Sequence, residues 1–327
     1  MSPKLSRRAA LALPLLAPGM LAAQPRPAWP ERPVRLLQGF APGGGTDVLA
    51  RLVAPHLAAA LGQPMAVESR PGAGGTLAAE ALARANDGHT LMMLNNGFAV
   101  SAALYRRLPY DPRADILPVA MVAASGLVLL VANTPEAPRD MADLVARARA
   151  RPDALNLATV GVGSTQHFVA EAVQGAGGFR MTHVPYRGTP AALIALRNNE
   201  VQAVSEVAAA VLGQIRDGAV RALAITSATR SPLLPEVPTV AEALGAATFE
   251  IDTWYAIGAP AGTPEPVLAR ISAAVASLAE APDLAPRLAA LGLLLRPAGT
   301  PASVRATIHG EIDRWAEVIA RTNMERQ

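Results

Sequence analysis

Apolar and polar positions along this chain switch between two periods almost from end to end. Runs of consecutive or alternating apolar residues mark strands, and segments with apolar residues three and four apart mark helices. "VRLLQGF" (34–40) precedes a helix predicted over Thr46–Leu61. "QPMAVES" leads through "RPGAGG" (70–75) to a helix over Thr76–Ala85, and "HTLMMLNN" (89–96) leads through Gly97-Phe98 to a short helix near Ser101–Tyr105. Beyond these, helices over Met141–Ala150, Phe168–Gln174 and within "RGTPAALIALRN" alternate with strands at Leu155–Val160, "MTHVPY", Val201–Val207 and Val220–Ser227. Thr189 ahead of Pro190 reads as a helix cap, Thr239 with Glu242 as a capping box, and the closing helices Thr263–Leu278 and Thr300–Arg321 each start on Thr-Pro. Such alternation predicts an α/β fold built on mostly parallel sheets.

Two segments break the rhythm. "ILPVAMVAAS" and "GLVLLVAN" stand back to back around Ser125-Gly126, an apolar stretch long enough to leave one domain and enter another. "FEIDTWYAIGAPAG" reads as the return. Two crossings predict two lobes with a cleft and hinges: lobe 1 combining residues 29–127 and 252–327, lobe 2 holding residues 128–251.

The first 23 residues follow another plan. Lys4, Arg7 and Arg8 precede the apolar run Ala9–Ala22, and "LAA" offers a cleavage site near Ala23. This is the layout of a secretory signal peptide, and the apolar run is too short for a membrane span. "SRRAAL" resembles a twin-arginine signal without its usual aromatic, so Sec and twin-arginine export both stay open.

Without that leader the charge reading changes. The formal +3 of the whole chain includes three leader cations and no leader acid, so the remainder carries 26 Lys+Arg against 26 Asp+Glu. A net charge of zero gives no electrostatic case for nucleic acid or an anionic membrane. The chain has no cysteine, which excludes disulfides and thiolate chemistry, and Lys4 is its one lysine, which excludes a lysine Schiff base or a Walker lysine after cleavage.

Candidate chemistry concentrates at glycine-rich turns between strand and helix. The turns "APGGGTD" (41–47) and "NNGF" (95–98) belong to lobe 1, and "GVGST" (161–165) to lobe 2. A helix start exposes unpartnered N–H groups at the positive end of its dipole, and glycine lets a ligand approach them. Such turns bind carboxylate or phosphate without a cationic side chain. A nucleotide site is disfavoured, because "GVGSTQ" lacks the third glycine of a dinucleotide fingerprint and no lysine follows the glycine triplet. Asp47 suits the first turn of its helix, His56 and His309 read as surface residues, and His183 reads as a core residue of a strand. His167 could face the cleft or be a half-exposed structural histidine, while Tyr186 and Arg187 are candidates to face the cleft, with Arg187 able to pair a carboxylate. Glu206 ends an otherwise apolar strand and is hard to explain as surface. Trp254 and Tyr255 could wall the cleft or pack the hinge. No HExxH pattern is present, and no metal or cofactor is expected. A secreted α/β hydrolase is disfavoured: there is no GxSxG elbow, and Ser164 with His167 shares one short turn without an evident acid. The expectation is a binding protein, not an enzyme.

The ordered set "WPERPVRLLQGFAPGGGTDVLARL", "RPGAGG", "LYRRLPYDP", "THVPYRGTPAAL", "VRALAITSATRSPLLPEVPTVAEA" and "WYAIGAPAGTP" resembles the Bug family, the extracytoplasmic solute receptors of tripartite tricarboxylate transporters. The resemblance implies a two-lobed periplasmic-binding-protein-like fold, a mixed, mostly parallel sheet in each lobe, and a small carboxylate held between them by amides, hydroxyls and waters. It implies a monomer that delivers its ligand to membrane permease subunits, or that serves a sensor kinase instead. The family's binding loops map onto Phe40, Ala41, Gly43, Gly44, Gly45 and Thr46, and onto Asn95, Asn96, Gly97 and Phe98. In the facing lobe they map onto Gly163, Ser164, Thr165 and His167, then Tyr186 and Arg187. Three positions depart. Gly39 replaces a usual proline, Ala41-Pro42 a usual Pro-Pro, and Ser205-Glu206-Val207 the usual Phe-Asp-Asn. If Glu206 lines the pocket, a ligand offering a donor is expected opposite it, such as an ammonium, a hydroxyl or a protonated acid.

Overall fold

A computed structural model describes residues 29–322, so the expected signal peptide lies outside the described residues. The chain opens with β1 (Val34–Gln38), α1 (Gly45–Leu61), β2 (Met65–Ser69), α2 (Thr76–Ala83), β3 (Thr90–Asn95) and α3 (Asn96–Leu104). The long β4 (Ile116–Ala132) follows. Next come α4 (Met141–Ala150), β5 (Asn156–Thr159), α5 (Thr165–Gly177), β6 (Thr182–Pro185), α6 (Thr189–Arg197), β7 (Ala203–Val207), α7 (Ala208–Arg216), β8 (Val220–Ile225) and α8 (Val240–Leu244). The chain closes with β9 (Asp252–Pro260), α9 (Glu265–Ala276), α10 (Leu284–Ala289), β10 (Leu294–Leu295) and α11 (Pro301–Thr322).

The strands form two sheets that share β4. In the first, β2, β1 and β3 run parallel, and β9 pairs antiparallel with both β3 and β4. In the second, β4 lies between β7 and β8, antiparallel to both, and β5 and β6 continue parallel beyond β7. The doubled apolar run is therefore one strand, whose early residues pair with β9 and whose residues from Leu127 onward pair with β7. Gly126 sits at the change-over, where a Cβ would stand 3.1 Å from Ile225 Cγ1. Thr226 fastens both crossings. Its N–H donates to Leu127 O, its Oγ1 accepts from Leu127 N at 2.9 Å, and the same hydroxyl donates to Ile251 O at 2.6 Å.

The core follows this plan. Leu36, Leu49, Val53, Leu57, Ile257 and Ile271 fill one face of the first sheet beneath α1 and α9. Leu94, Leu104, Ile308, Ile312 and Trp315 fill the other face beneath α3 and α11. Val128, Leu196, Val204, Val211 and Leu212 fill the space between the second sheet and α6 and α7.

Three local expectations are corrected. The helix expected near Ser101 starts at Asn96, because the Asn95 side chain accepts the Gly97 N–H and caps it there. Gly188, not Thr189, caps α6, which frees the Thr189 hydroxyl for another partner. Pro264, not Thr263, precedes α9, whereas Thr300 does accept from the Ser303 N–H at the start of α11. The Thr239–Glu242 capping box forms as expected, with bonds of 2.9 and 3.1 Å. The pattern marks no helix at α7, because its apolar opening runs straight on from β7 without a turn signal.

Candidate functional site

Where the two sheets face each other, a narrow chamber is lined by Phe40, Ala41, Gly44, Gly45, Thr46 and Asn95 from lobe 1. Val160, Thr165, Gln166, Gly188, Thr189 and Val207 line it from lobe 2, and Thr253 stands at the return crossing. Its volume is about 10 Å³, room for about one water. A wider outer cavity of about 460 Å³ shares Phe40, Ala41 and Val160 with it and is bordered by Pro71, Gly72, Gly74, Tyr186 and Arg187.

Three helix starts converge on the chamber. Gly44 precedes α1 and Gly188 precedes α6 with no side-chain cap, so the amides of Gly45, Thr46 and Thr189 have no acceptor among the described residues. At α5 the Ser164 hydroxyl caps the His167 N–H at 3.2 Å but leaves the amides of Thr165 and Gln166 unspent. Unspent amides at the positive ends of helix dipoles attract an anion from both lobes at once. No arginine lines the inner chamber among the described residues. The loop ahead of α1 is shaped by Asp47, which is 3% exposed and accepts from Gly43 N at 2.9 Å and from Arg51 Nε at 3.0 Å. Gln38 holds the loop from the strand side, accepting from Phe40 N at 2.8 Å and donating to Phe40 O at 2.7 Å.

The residues singled out from the sequence separate into distinct places. Phe40, Ala41, Gly44, Gly45, Thr46, Asn95 and Thr165 line the inner chamber, while Tyr186 and Arg187 stand at the outer cavity. Gly43 spends its N–H on Asp47 and borders neither. Asn96 ties α3 to β9, accepting from Trp254 N at 2.6 Å and donating to Asp252 O at 3.0 Å. Phe98 stacks on Tyr110 in the core. Gly97 and Gly163 sit where the lobes touch: a Cβ on Gly97 would stand 3.5 Å from Gly163 O, which accepts from Ser101 Oγ at 3.3 Å. Ser164 is committed to its helix and to Gly161 O. Glu206 lies behind the chamber wall, 0% exposed, held by Gln166, Thr189 and the Val207 N–H. Burial pushes its carboxyl above the ordinary range.

Sequence reasoning passed over Val160, Gln166, Gly188, Thr189, Val207 and Thr253 as chamber residues. Gln166 directly follows the Gly163–Thr165 turn, and Thr189 opens a helix after a glycine of φ 152°, so the same rule of glycine before a helix start locates both.

His167 is turned away from the chamber. Its ring stacks on His183 with centroids 4.0 Å apart, and Nδ1 accepts from Gly163 N at 3.4 Å. Burial, with His183 second, drives its pKa down to about 3, and burial drives that of His183 down to about 4. An unfolded histidine titrates near 6.5. Above that pH neither state is protonated and the pair costs nothing. As pH falls from about 6.5 toward 4, the unfolded chain takes up protons that the folded pair refuses, so stability falls. The expected loss is on the order of 1 kcal/mol per pH unit for each histidine. Thermal unfolding at pH 7 and pH 5 checks this: the drop in Tm is expected to be smaller in His183→Phe than in the wild type.

Two lobes joined by two crossings, with helix starts facing across a cleft, define the periplasmic-binding-protein class. The chain resembles the periplasmic binding protein BugD over 91% of its length and all of that chain, at 31% identity and a TM-score of 0.86. It resembles MatC from Rhodopseudomonas palustris, solved with bound malate, at 36% identity and a TM-score of 0.82 over 89% of this chain and all of that one. A further R. palustris protein, solved with adipate, is 33% identical with a TM-score of 0.83, covering 89% of this chain and 97% of its own. The model of the tripartite tricarboxylate transporter family receptor matches residues 49–324, and the chain belongs to that family. It is a solute-binding receptor, of a family of binding proteins rather than enzymes. Among the described residues no helix is long and apolar enough to cross a membrane.

Proposed function

We propose that this receptor captures a small carboxylate between its lobes, with the ligand's charge held by the unspent amides of Gly45, Thr46, Thr165, Gln166 and Thr189, and passes it to the permease subunits of a tripartite tricarboxylate transporter. The observation that carries the reading is the convergence of α1, α5 and α6, each with unused N–H groups, on one chamber that borders both lobes. Neutral donors of this kind hold a carboxylate while leaving it free to depart when the lobes separate. The malate of one relative and the adipate of another support the ligand class. Binding draws the lobes together and shifts the population toward the closed form. The receptor works as a monomer, in the periplasm, after removal of its leader near Ala23.

Calorimetry and thermal-shift measurements against dicarboxylates, tricarboxylates, amino acids, aromatic acids and sugars test the ligand class. At least one carboxylate is expected to bind with a Kd on the order of 1 μM or tighter, equivalent to about 8 kcal/mol. A firm sugar ligand with every carboxylate silent would overturn the assignment.

A further inference from the structure

The lobe-2 wall of the chamber is polarised by a residue that does not line it. Glu206 Oε1 accepts from Gln166 Nε2 and from Val207 N, and Oε2 accepts from Thr189 Oγ1, all at 2.7 Å. As arranged, Gln166 Nε2, the Val207 N–H and Thr189 Oγ1 each spend a donor on Glu206. The Gln166 amide is thereby fixed with its nitrogen toward Glu206, and its Oε1 takes no hydrogen bond from the protein among the described residues. Thr189 spends its single hydroxyl proton on Glu206 and keeps only lone pairs. Both residues line the chamber. Behind them the buried carboxylate has no arginine or histidine as an ion-pair partner among the described residues; its only partners are those three hydrogen bonds.

The lobe-1 wall has the opposite polarity. Asn95 accepts from Gly97 N at 3.0 Å and donates from Nδ2 to Thr46 Oγ1 at 3.1 Å. Thr46 therefore keeps its hydroxyl proton for the chamber, beside the unspent amides of Gly45 and Thr46. The side chains of the lobe-1 wall present donors, whereas Gln166 Oε1 and Thr189 Oγ1 add acceptors beside the unspent amides of the lobe-2 wall.

We propose that Glu206, acting through Gln166 and Thr189, makes this receptor select short carboxylates that carry a hydrogen-bond donor next to the carboxylate, an ammonium ahead of a hydroxyl. The ligand's carboxylates take the unspent amides of both lobes, and its donor meets the side-chain acceptors of Gln166 and Thr189. The inference rests on the carboxylate reading above and adds the substituent to it. An ammonium ranks first because its three donors can meet Gln166 Oε1 and Thr189 Oγ1 together, whereas a hydroxyl has one donor. Specificity then comes as much from rejection, since a ligand without a donor leaves both acceptors unpaired.

Succinate, malate and aspartate share one four-carbon diacid skeleton and differ at one substituent, so calorimetry with these three probes tests the inference. Aspartate is expected to bind at least tenfold tighter than succinate, with malate between them. In Glu206→Gln the amide at 206 can donate, Gln166 and Thr189 are free to reverse, and the aspartate-to-succinate ratio is expected to shrink at least fivefold. Gln166→Met, which removes an acceptor and retains the carboxylate, must shrink the same ratio and serves if Glu206→Gln does not fold. Equal affinity for the three probes, or a ratio unchanged in the folded variants, overturns the selection while leaving carboxylate binding intact. Silence from all three probes overturns this inference, and the carboxylate reading falls with it only where the wider carboxylate panel is silent too.

Discussion

Gly74→Ala is expected to weaken ligand binding by about 10- to 100-fold, although residue 74 belongs to the outer cavity and not to the inner chamber. Gly74 lies in the short 3-10 turn Ala73–Gly75 ahead of α2, with φ at 65°. A Cβ there would stand 2.7 Å from Val162 O, 2.8 Å from Gly163 C and 3.0 Å from Gly163 O. All three are main-chain atoms of the turn between β5 and α5 in the opposite lobe, and main chain cannot swing aside as a long side chain can. The lobes must therefore close less far, and overpacking of this order costs about 1–3 kcal/mol. At about 1.4 kcal/mol per tenfold, that cost appears directly in affinity. A left-handed backbone costs alanine a further 1–2 kcal/mol or so, but that strain sits within lobe 1 and is equal in the open and closed forms. It lowers Tm without changing affinity, so calorimetry and thermal unfolding separate the two effects. Small-angle scattering should show a smaller ligand-induced contraction in the variant. Wild-type affinity in a folded Gly74→Ala protein would show that the lobes do not approach this closely when ligand is bound.

That prediction marks the limit of what the residues alone disclosed. "RPGAGG" was plainly a glycine turn, but nothing local in it tells that Gly74 faces Gly163 across a cleft. Features set by local chemistry were readable: the long apolar run that becomes β4, the capping box at Thr239, and the glycine turn ahead of α1 all formed where the pattern placed them. The chamber was partly readable for the same reason, since glycine before a helix start is a local signal. Features set by tertiary partners were not. Thr189 looked like a cap because Thr-Pro starts helices, but Glu206, 17 residues later, claims its hydroxyl. His167 looked like a cleft residue because it follows Ser164 and Thr165, but the third position of a helix points away from the first, and it found His183 instead. Glu206 was rightly hard to place on the surface, whereas its position behind the wall depends on Gln166, 40 residues earlier.

Phe168→Ala is expected to cost about 3–5 kcal/mol of stability, the usual price of emptying a buried phenylalanine site. In a chain of this size that is a fall in Tm of roughly 10 °C. Phe168 is 1% exposed and belongs to α5, a helix of lobe 2, but it is buried with Leu104, Ile308 and Ile312 of lobe 1. Its ring meets Trp315 of α11 edge-on, with centroids 5.2 Å apart, and Trp315 is itself 2% exposed. The same helix start carries Thr165 and Gln166 into the chamber, so a loosened α5 also misplaces two of the proposed ligand donors. Both a lower Tm and a weaker affinity are therefore expected from one substitution far smaller than a lobe. Trp315→Ala should resemble it in stability, and because the rings touch, the double variant should lose less than the sum of the two. An unchanged Tm in Phe168→Ala would mean that the ring's burial contributes nothing to holding α5 against lobe 1. Additive losses in the double variant would mean that the two rings act independently, and α5 would then have to be positioned from the second sheet alone.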